Sequence, residues 1–200
     1  MEQSSNADDL YEQACSYMEG DLGDVSYEKA VVYLKQASEL GHPKAQYNLG
    51  VCYHYGMGLP QSHENALKCF ELAAEQGHLR AIYMLGCYLI LGIACDVSEE
   101  RGAAYFYLAA EAGVADAQYD LGVLLLHGQG IVKSETEAVH FFDLAAKQNH
   151  KDALYNLGIC YYSGIGVEAS YDEAIRYLEL AVKHKQPKAK AALEYVMMNA

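Results

Sequence analysis

The apolar positions of this chain recur at two nested periods. Across residues 44–55, KAQYNLGVCYHY, Ala45, Leu49, Cys52 and Tyr53 fall at i, i+4, i+7 and i+8, one face of a helix. The GMGLP segment breaks that run. A second helical pattern opens at Ser62, carries the small pair Ala73-Ala74 and stops at Gly77. The same two-helix block returns every 36 residues. Ala45, Ala81, Ala117, Ala153 and Ala189 keep that step, as do Leu49, Leu85, Leu121 and Leu157. The register runs without a gap and divides the chain into repeats 9–44, 45–80, 81–116, 117–152 and 153–188, all within one repeat domain, 1–200. A partial sixth repeat, 189–200, reads as a C-terminal capping helix.

Glycine and serine punctuate each repeat. Gly50, Gly86, Gly122 and Gly158 lie in mid-helix, where glycine costs about 1 kcal/mol relative to alanine. Their recurrence predicts that the second helix packs closely against the first. Gly20, Gly56, Gly92, Gly128 and Gly164 suit the left-handed position after the first helix. Ser26, Ser62, Ser98, Ser134 and Ser170 read as N-caps of the second helix, and Glu137 and Glu173 complete capping boxes with Ser134 and Ser170. The second helix closes at Gly41, Gly77, Gly113 and Asn149. The third repeat departs from this pattern. It has Gly92-Ile93-Ala94 in place of Gly-x-Gly, which predicts a differently conformed loop. A helix pair of this length cannot bury its apolar face alone, so the fold class is all-α, a right-handed α-solenoid of stacked helix-turn-helix repeats.

The pattern AQYNLGVCYHYGMGLPQSHENALKCFELAAEQGH resembles the Sel-1-like repeat family, relatives of the tetratricopeptide repeats. The likeness rests on the LG of the first helix, the Gly-x-Gly loop, the Ala of the second helix and the AA-x-x-G close, and it spans residues 9–188. It implies an adaptor that holds a partner protein, with the first helix of each repeat lining a concave groove. The implied groove residues begin with Tyr47, Asn48, Val51 and Tyr55, His54 sharing their strip. They continue with Tyr83, Met84, Cys87, Ile90 and Leu91 in the third repeat, and Tyr119, Asp120, Val123, Leu126 and His127 in the fourth. Tyr155, Asn156, Ile159 and Tyr162 follow in the fifth. The middle of this strip is apolar, so a peptide or partner helix is expected over the third and fourth repeats. Two roles stay open for the Tyr47 register: contact with a partner, or packing between repeats with the hydroxyl at the rim. The apolar registers likewise stay open between partner contact and burial between helices.

Composition adds limits. The 18 tyrosines are mostly register, since 13 occupy four repeat positions. The 14 basic against 27 acidic side chains give a net charge of −13. That charge argues against nucleic acid as a partner and against anionic membrane surfaces. Residues 1–50 alone hold nine acidic and three basic groups, which would steer a basic partner segment there, although the excess equally serves solubility. No apolar run is long enough for membrane insertion, and residues 1–10 lack a secretory pattern. The expectation is therefore a cytoplasmic protein, although an exported effector or a periplasmic protein freed of its signal would read the same.

Chemistry-bearing residues do not assemble into a motif. The six cysteines form no C-x-x-C pair, and Cys87 with Cys95 is the pair to test for a bridge. His42, His78 and His150 share one register just after a helix close, where imidazole would favour the helix C-terminus. They belong to different repeats and are not expected to hold a metal. No catalytic residue and no cofactor is expected. Cysteine-rich relatives suggest a penicillin-binding or β-lactamase-like alternative, but these carry a cysteine pair in every repeat. The Ser26-to-Lys29 S-x-x-K match is explained by capping. A further alternative is a self-assembling scaffold, with weak self-association through the C-terminal helix at Val196, Met197 and Met198.

Overall fold

The computed structural model describes residues 2–21 and 23–199, with side chains described from residue 6 onward. Among the described residues there are eleven α-helices and no strand. They fall into two compact halves, Met1–Val97 and Ser98–Ala200. The N-terminal half holds α1 (Glu2–Glu19), α2 (Tyr27–Glu39), α3 (Pro43–Tyr55), α4 (His63–Glu75) and α5 (Leu79–Leu91). The C-terminal half holds α6 (Glu99–Glu111), α7 (Ala115–His127), α8 (Glu135–Lys147), α9 (Lys151–Ser163), α10 (Tyr171–Lys183) and α11 (Ala189–Asn199). Within each half every helix packs on the next in chain order.

The mid-helix glycines set the spacing inside a pair. A Cβ on Gly50 would stand 2.6 Å from the Phe70 ring, and one on Gly122 would stand 2.6 Å from Phe142. Leu178 fills the same place against Gly158. Phe70, Phe142 and Leu178 are fully buried there, each worth about 1.5–3 kcal/mol of burial. In α11 the register carries Glu194, so a following helix could not pack on it at this spacing.

The caps divide the backbone bonds differently from a reciprocal capping box. Ser26, Ser62, Ser134 and Ser170 accept from the backbone N–H three residues on. Their own N–H groups are already used. Ser62 donates to the Tyr53 carbonyl, Ser134 to Leu125 and Ser170 to Tyr161, which ties each second helix to the first. The carboxylate of Glu173 turns instead to Arg176. Ser98 holds the N-cap position of α6 without a side-chain bond. Ser26 is spent in the same way, accepting from Lys29 N–H and donating to Glu28, as its capping role requires.

The third repeat's loop is not differently conformed. Gly92 and Ala94 have φ of 65° and 56°, against 72° and 71° for Gly56 and Gly58. Ala94 therefore adopts the left-handed backbone of the glycine it replaces. The histidine register also differs from expectation. Its backbone N–H does close the preceding helix: His42 donates to Ala37, His78 to Ala73 and His150 to Ala145. Its side chain, however, serves the following helix. Nδ1 of His42, His78 and His150 accepts from the N–H of Ala45, Ala81 and Ala153 at 3.1, 3.3 and 3.2 Å. An unprotonated ring nitrogen thus acts as an N-cap acceptor.

Candidate functional site

The strip predicted on the first helices is neither core nor freely solvated. None of its residues from Tyr47 to Tyr162 is buried, and most are half-buried. Tyr55 and Leu91, at the C-terminal ends of α3 and α5, are two-thirds exposed.

In the N-terminal half the strip begins with tyrosine–histidine stacks. Tyr11 lies on His42 with centroids 4.5 Å apart, and Tyr47 lies on His78 at 4.6 Å. Nε2 of His42 faces Asp8 at 3.2 Å. The Tyr11 hydroxyl accepts from Nδ2 of Asn48 at 3.4 Å. Burial, followed by Cys15, pushes the Tyr11 phenol up to about 12. The tyrosine rings therefore bind one repeat to the next.

Further along, Nδ1 of His54 is 2.7 Å from the Tyr88 hydroxyl, and His63 approaches the same oxygen at 3.5 Å. Tyr88 is completely buried. It occupies the register of Cys52, Leu124 and Cys160, and its phenol is pushed up to about 12 by burial. Burial and the neighbouring His63 lower the pKa of His54. Sequence reasoning passed over Tyr88. The available signal was a large hydroxyl-bearing ring in a register otherwise held by Ser16, Cys52, Leu124 and Cys160, with a histidine one repeat earlier to satisfy it.

In the C-terminal half, Tyr119 stacks on His150 at 4.7 Å, and Nε2 of His150 faces Asp116 at 3.3 Å. Burial raises the Tyr119 phenol, as do Asp152 and Asp120, while a hydrogen bond with Asn156 lowers it. Tyr119, Tyr155 and Asn156 come together with Lys151 and Lys188 around a polar cavity of about 370 Å³. Tyr162 meets Tyr171 and Tyr195 edge to face, at 5.7 and 5.9 Å. Val123, Leu126 and Ile159 are half-buried, and His127 is exposed.

Two buried glutamines escaped sequence reasoning. Gln46 accepts from Gln76 at 2.7 Å and Gln118 accepts from Gln148 at 2.8 Å. Each also donates to a carbonyl at the end of the preceding helix, Ser38 or Ala110. They hold the first helices against the second helices on either side.

None of the six cysteines forms a disulfide, so Cys87 and Cys95 are not bridged. Burial pushes the thiols of Cys52, Cys69 and Cys160 up to about 11, which disfavours the reactive thiolate. Among the described residues no three His, Cys, Asp or Glu side chains converge as metal ligands. No helix among them is long and apolar enough to cross a membrane.

Helix pairs locked by mid-helix glycines and joined by capping histidines define a helical-repeat protein of the solenoid class. The Sel1 repeat model matches residues 9–42, 43–78, 79–114, 115–150 and 151–185. The chain belongs to the Sel1 repeat family. No curated protein matches its sequence. Among solved structures it is similar to a protective antigen of uropathogenic Escherichia coli with an SLR fold, at 27% identity and a TM-score of 0.89. That match covers 95% of this chain and 41% of the antigen, so the chain spans about two fifths of it. A Sel1 repeat protein from Oxalobacter formigenes matches at 27% identity and a TM-score of 0.87, over 94% of this chain and 74% of that one. The immunity protein Pa5087 of Pseudomonas aeruginosa shares the fold at 22% identity and a TM-score of 0.60, over 94% and 75%.

Proposed function

We propose that this chain is a non-catalytic adaptor whose first helices hold a peptide or helix of a partner protein. The observation that carries this is the strip itself, where apolar and aromatic side chains stay accessible from repeat to repeat. Leu91 and Tyr55 stand out furthest. Large exposed apolar side chains that share a face mark interaction sites. Within each half, polar groups would set the register of a bound segment: Asn48 and His54 in the N-terminal half, Asn156 and Tyr162 in the C-terminal half. Because Tyr47 and Tyr119 stack on histidines, they would offer a partner mainly their hydroxyl edges. Six unbridged thiols suit a reducing compartment, and we place the protein in the cytoplasm.

Affinity capture from the source cells with wild type, Ile90→Asp and Leu91→Ser tests the reading. The expected result is a partner retained by wild type and lost from both variants at unchanged helicity. A cooperative loss of helicity in Ile90→Asp would show that Ile90 is core. Equal capture by all three would place binding elsewhere.

Val196, expected to share the exposed end of α11, is instead buried in the core, while Met197 and Met198 are exposed and, with Tyr195, favour a second contact, weak self-association through that helix. Light scattering should rise with concentration in the full chain and not in residues 1–188. Identical behaviour of the two would remove this reading.

A further inference from the structure

The outer face of α6 differs from its counterparts in the same chain. At the register where α4, α8 and α10 carry Lys68, His140 and Arg176, α6 has Ala104, and α2 also has an apolar residue there, Val32. Where α2, α4, α8 and α10 carry the charged Lys35, Glu71, Asp143 and Glu179, it has Tyr107. Relative to α4, α8 and α10 both changes replace a charged or polar side chain with an apolar or aromatic one. They leave Tyr107 46% and Leu108 57% exposed. The α7–α8 loop closes on this face, with Gly130 so tight against Glu99 that a Cβ there would clash. Between helix and loop lies a cleft of about 470 Å³, with Ala103 and Ala104 among its lining and Ile131 on the loop side. That volume falls in the range of clefts that take a ligand or an anchoring side chain. Beside Ile131, Val132 is 85% exposed. The one charged group in the lining is Glu100. Of the nearby charges, Glu99 accepts from Gln129 at 2.9 Å and Lys133 pairs with Glu135 at 2.8 Å.

We propose that this cleft is a second docking surface, separate from the strip on the first helices. Its occupant is a peptide or helix that inserts an apolar side chain against Tyr107 and Leu108 and sets a lysine or arginine beside Glu100. A lone carboxylate at the lip of an apolar cleft complements one basic group next to one apolar anchor. A second copy of the chain fits less well. A two-fold contact centred on this cleft would turn the two Glu100 carboxylates toward each other.

The sibling repeats supply variants that the fold accepts, because Tyr107→Glu and Ala104→Lys restore residue types found at the same register elsewhere in the chain. The probe is a displayed library of random linear peptides, selected on wild type and counter-selected on the double variant, with winners resynthesised for anisotropy titration. The expected winners pair a large apolar residue with a nearby Lys or Arg. Tyr107→Glu should weaken them at least tenfold and Glu100→Gln several-fold, with helicity unchanged, with Tm lowered in Tyr107→Glu only by the lost edge contact to Phe141, and with Leu91→Ser binding them like wild type. No enrichment over the double variant would overturn the proposal, as would winners lacking the apolar–basic pair or indifferent to Tyr107→Glu. Sedimentation that shows a wild-type dimer lost in Tyr107→Glu would overturn it in favour of a second copy.

Discussion

The imidazole of His150 lies flat on the phenol ring of Tyr119 from the preceding repeat, 4.7 Å between centroids, while its Nδ1 caps α9 through Ala153 N–H. One side chain thus bonds down the helix axis and stacks across the repeat boundary. The arrangement needs a lone pair on Nδ1, a requirement shared by His42 and His78 at the same register.

His78 makes this dependence testable. Burial lowers its pKa first, and Arg80 and Lys44 act in the same direction. A histidine with a folded-state pKa below its unfolded value near 6.5 contributes stability that is full above that value and is lost as pH falls through the folded pKa. The Tm should fall as pH drops from above about 6.5 through the folded pKa below it. His78→Asn, which caps without titrating, should flatten part of that slope. The amide of Ala81 should lose hydrogen-exchange protection in wild type over the same interval.

Gly122→Ala should destabilise, although alanine is the better helix former. Its Cβ would meet the Phe142 ring at 2.6 Å. The expected cost is about 1–3 kcal/mol, the usual range for overpacking. Urea unfolding that showed a gain would mean the helix pair relaxes apart at small cost.

Lys185 holds φ of 61° at the register of Gly41, Gly77 and Gly113. A non-glycine residue in the left-handed region costs about 1–2 kcal/mol. Lys185→Gly should therefore raise stability by about 1 kcal/mol after the added chain entropy of glycine is subtracted. Ala94→Gly, at φ of 56°, should act in the same direction. Thermal melts of the two variants check both.

The thiols should divide into two classes. Cys52, Cys69 and Cys160 are buried, with pKa near 11, and should react with a disulfide reagent only on unfolding. Cys15, Cys87 and Cys95 are half-buried and should account for any reaction of the native protein. Peptide mapping after brief labelling distinguishes the classes.

The helix pairs, their 36-residue step, four of the five serine caps and the glycine approach were legible in the amino-acid order. Each of these is a local property, a period of about 3.6, a hydroxyl three residues from an amide, or a missing Cβ, and the repeat states it four or five times. The strip on the first helices was legible for the same reason, since helical period places its residues on one face. Tertiary structure alone decided how that face is used. It showed that the shared histidines cap the following helix while stacking on tyrosines, and that Tyr88 sinks its hydroxyl against His54. It put Ala94 into a glycine's conformation, and it turned Ala104 and Tyr107 into the wall of a cleft. The stacks, the buried hydroxyl and the cleft join residues about one repeat apart in sequence. Which side chains meet across that distance depends on how closely the helices pack, a quantity set by the whole array and not written in any one period.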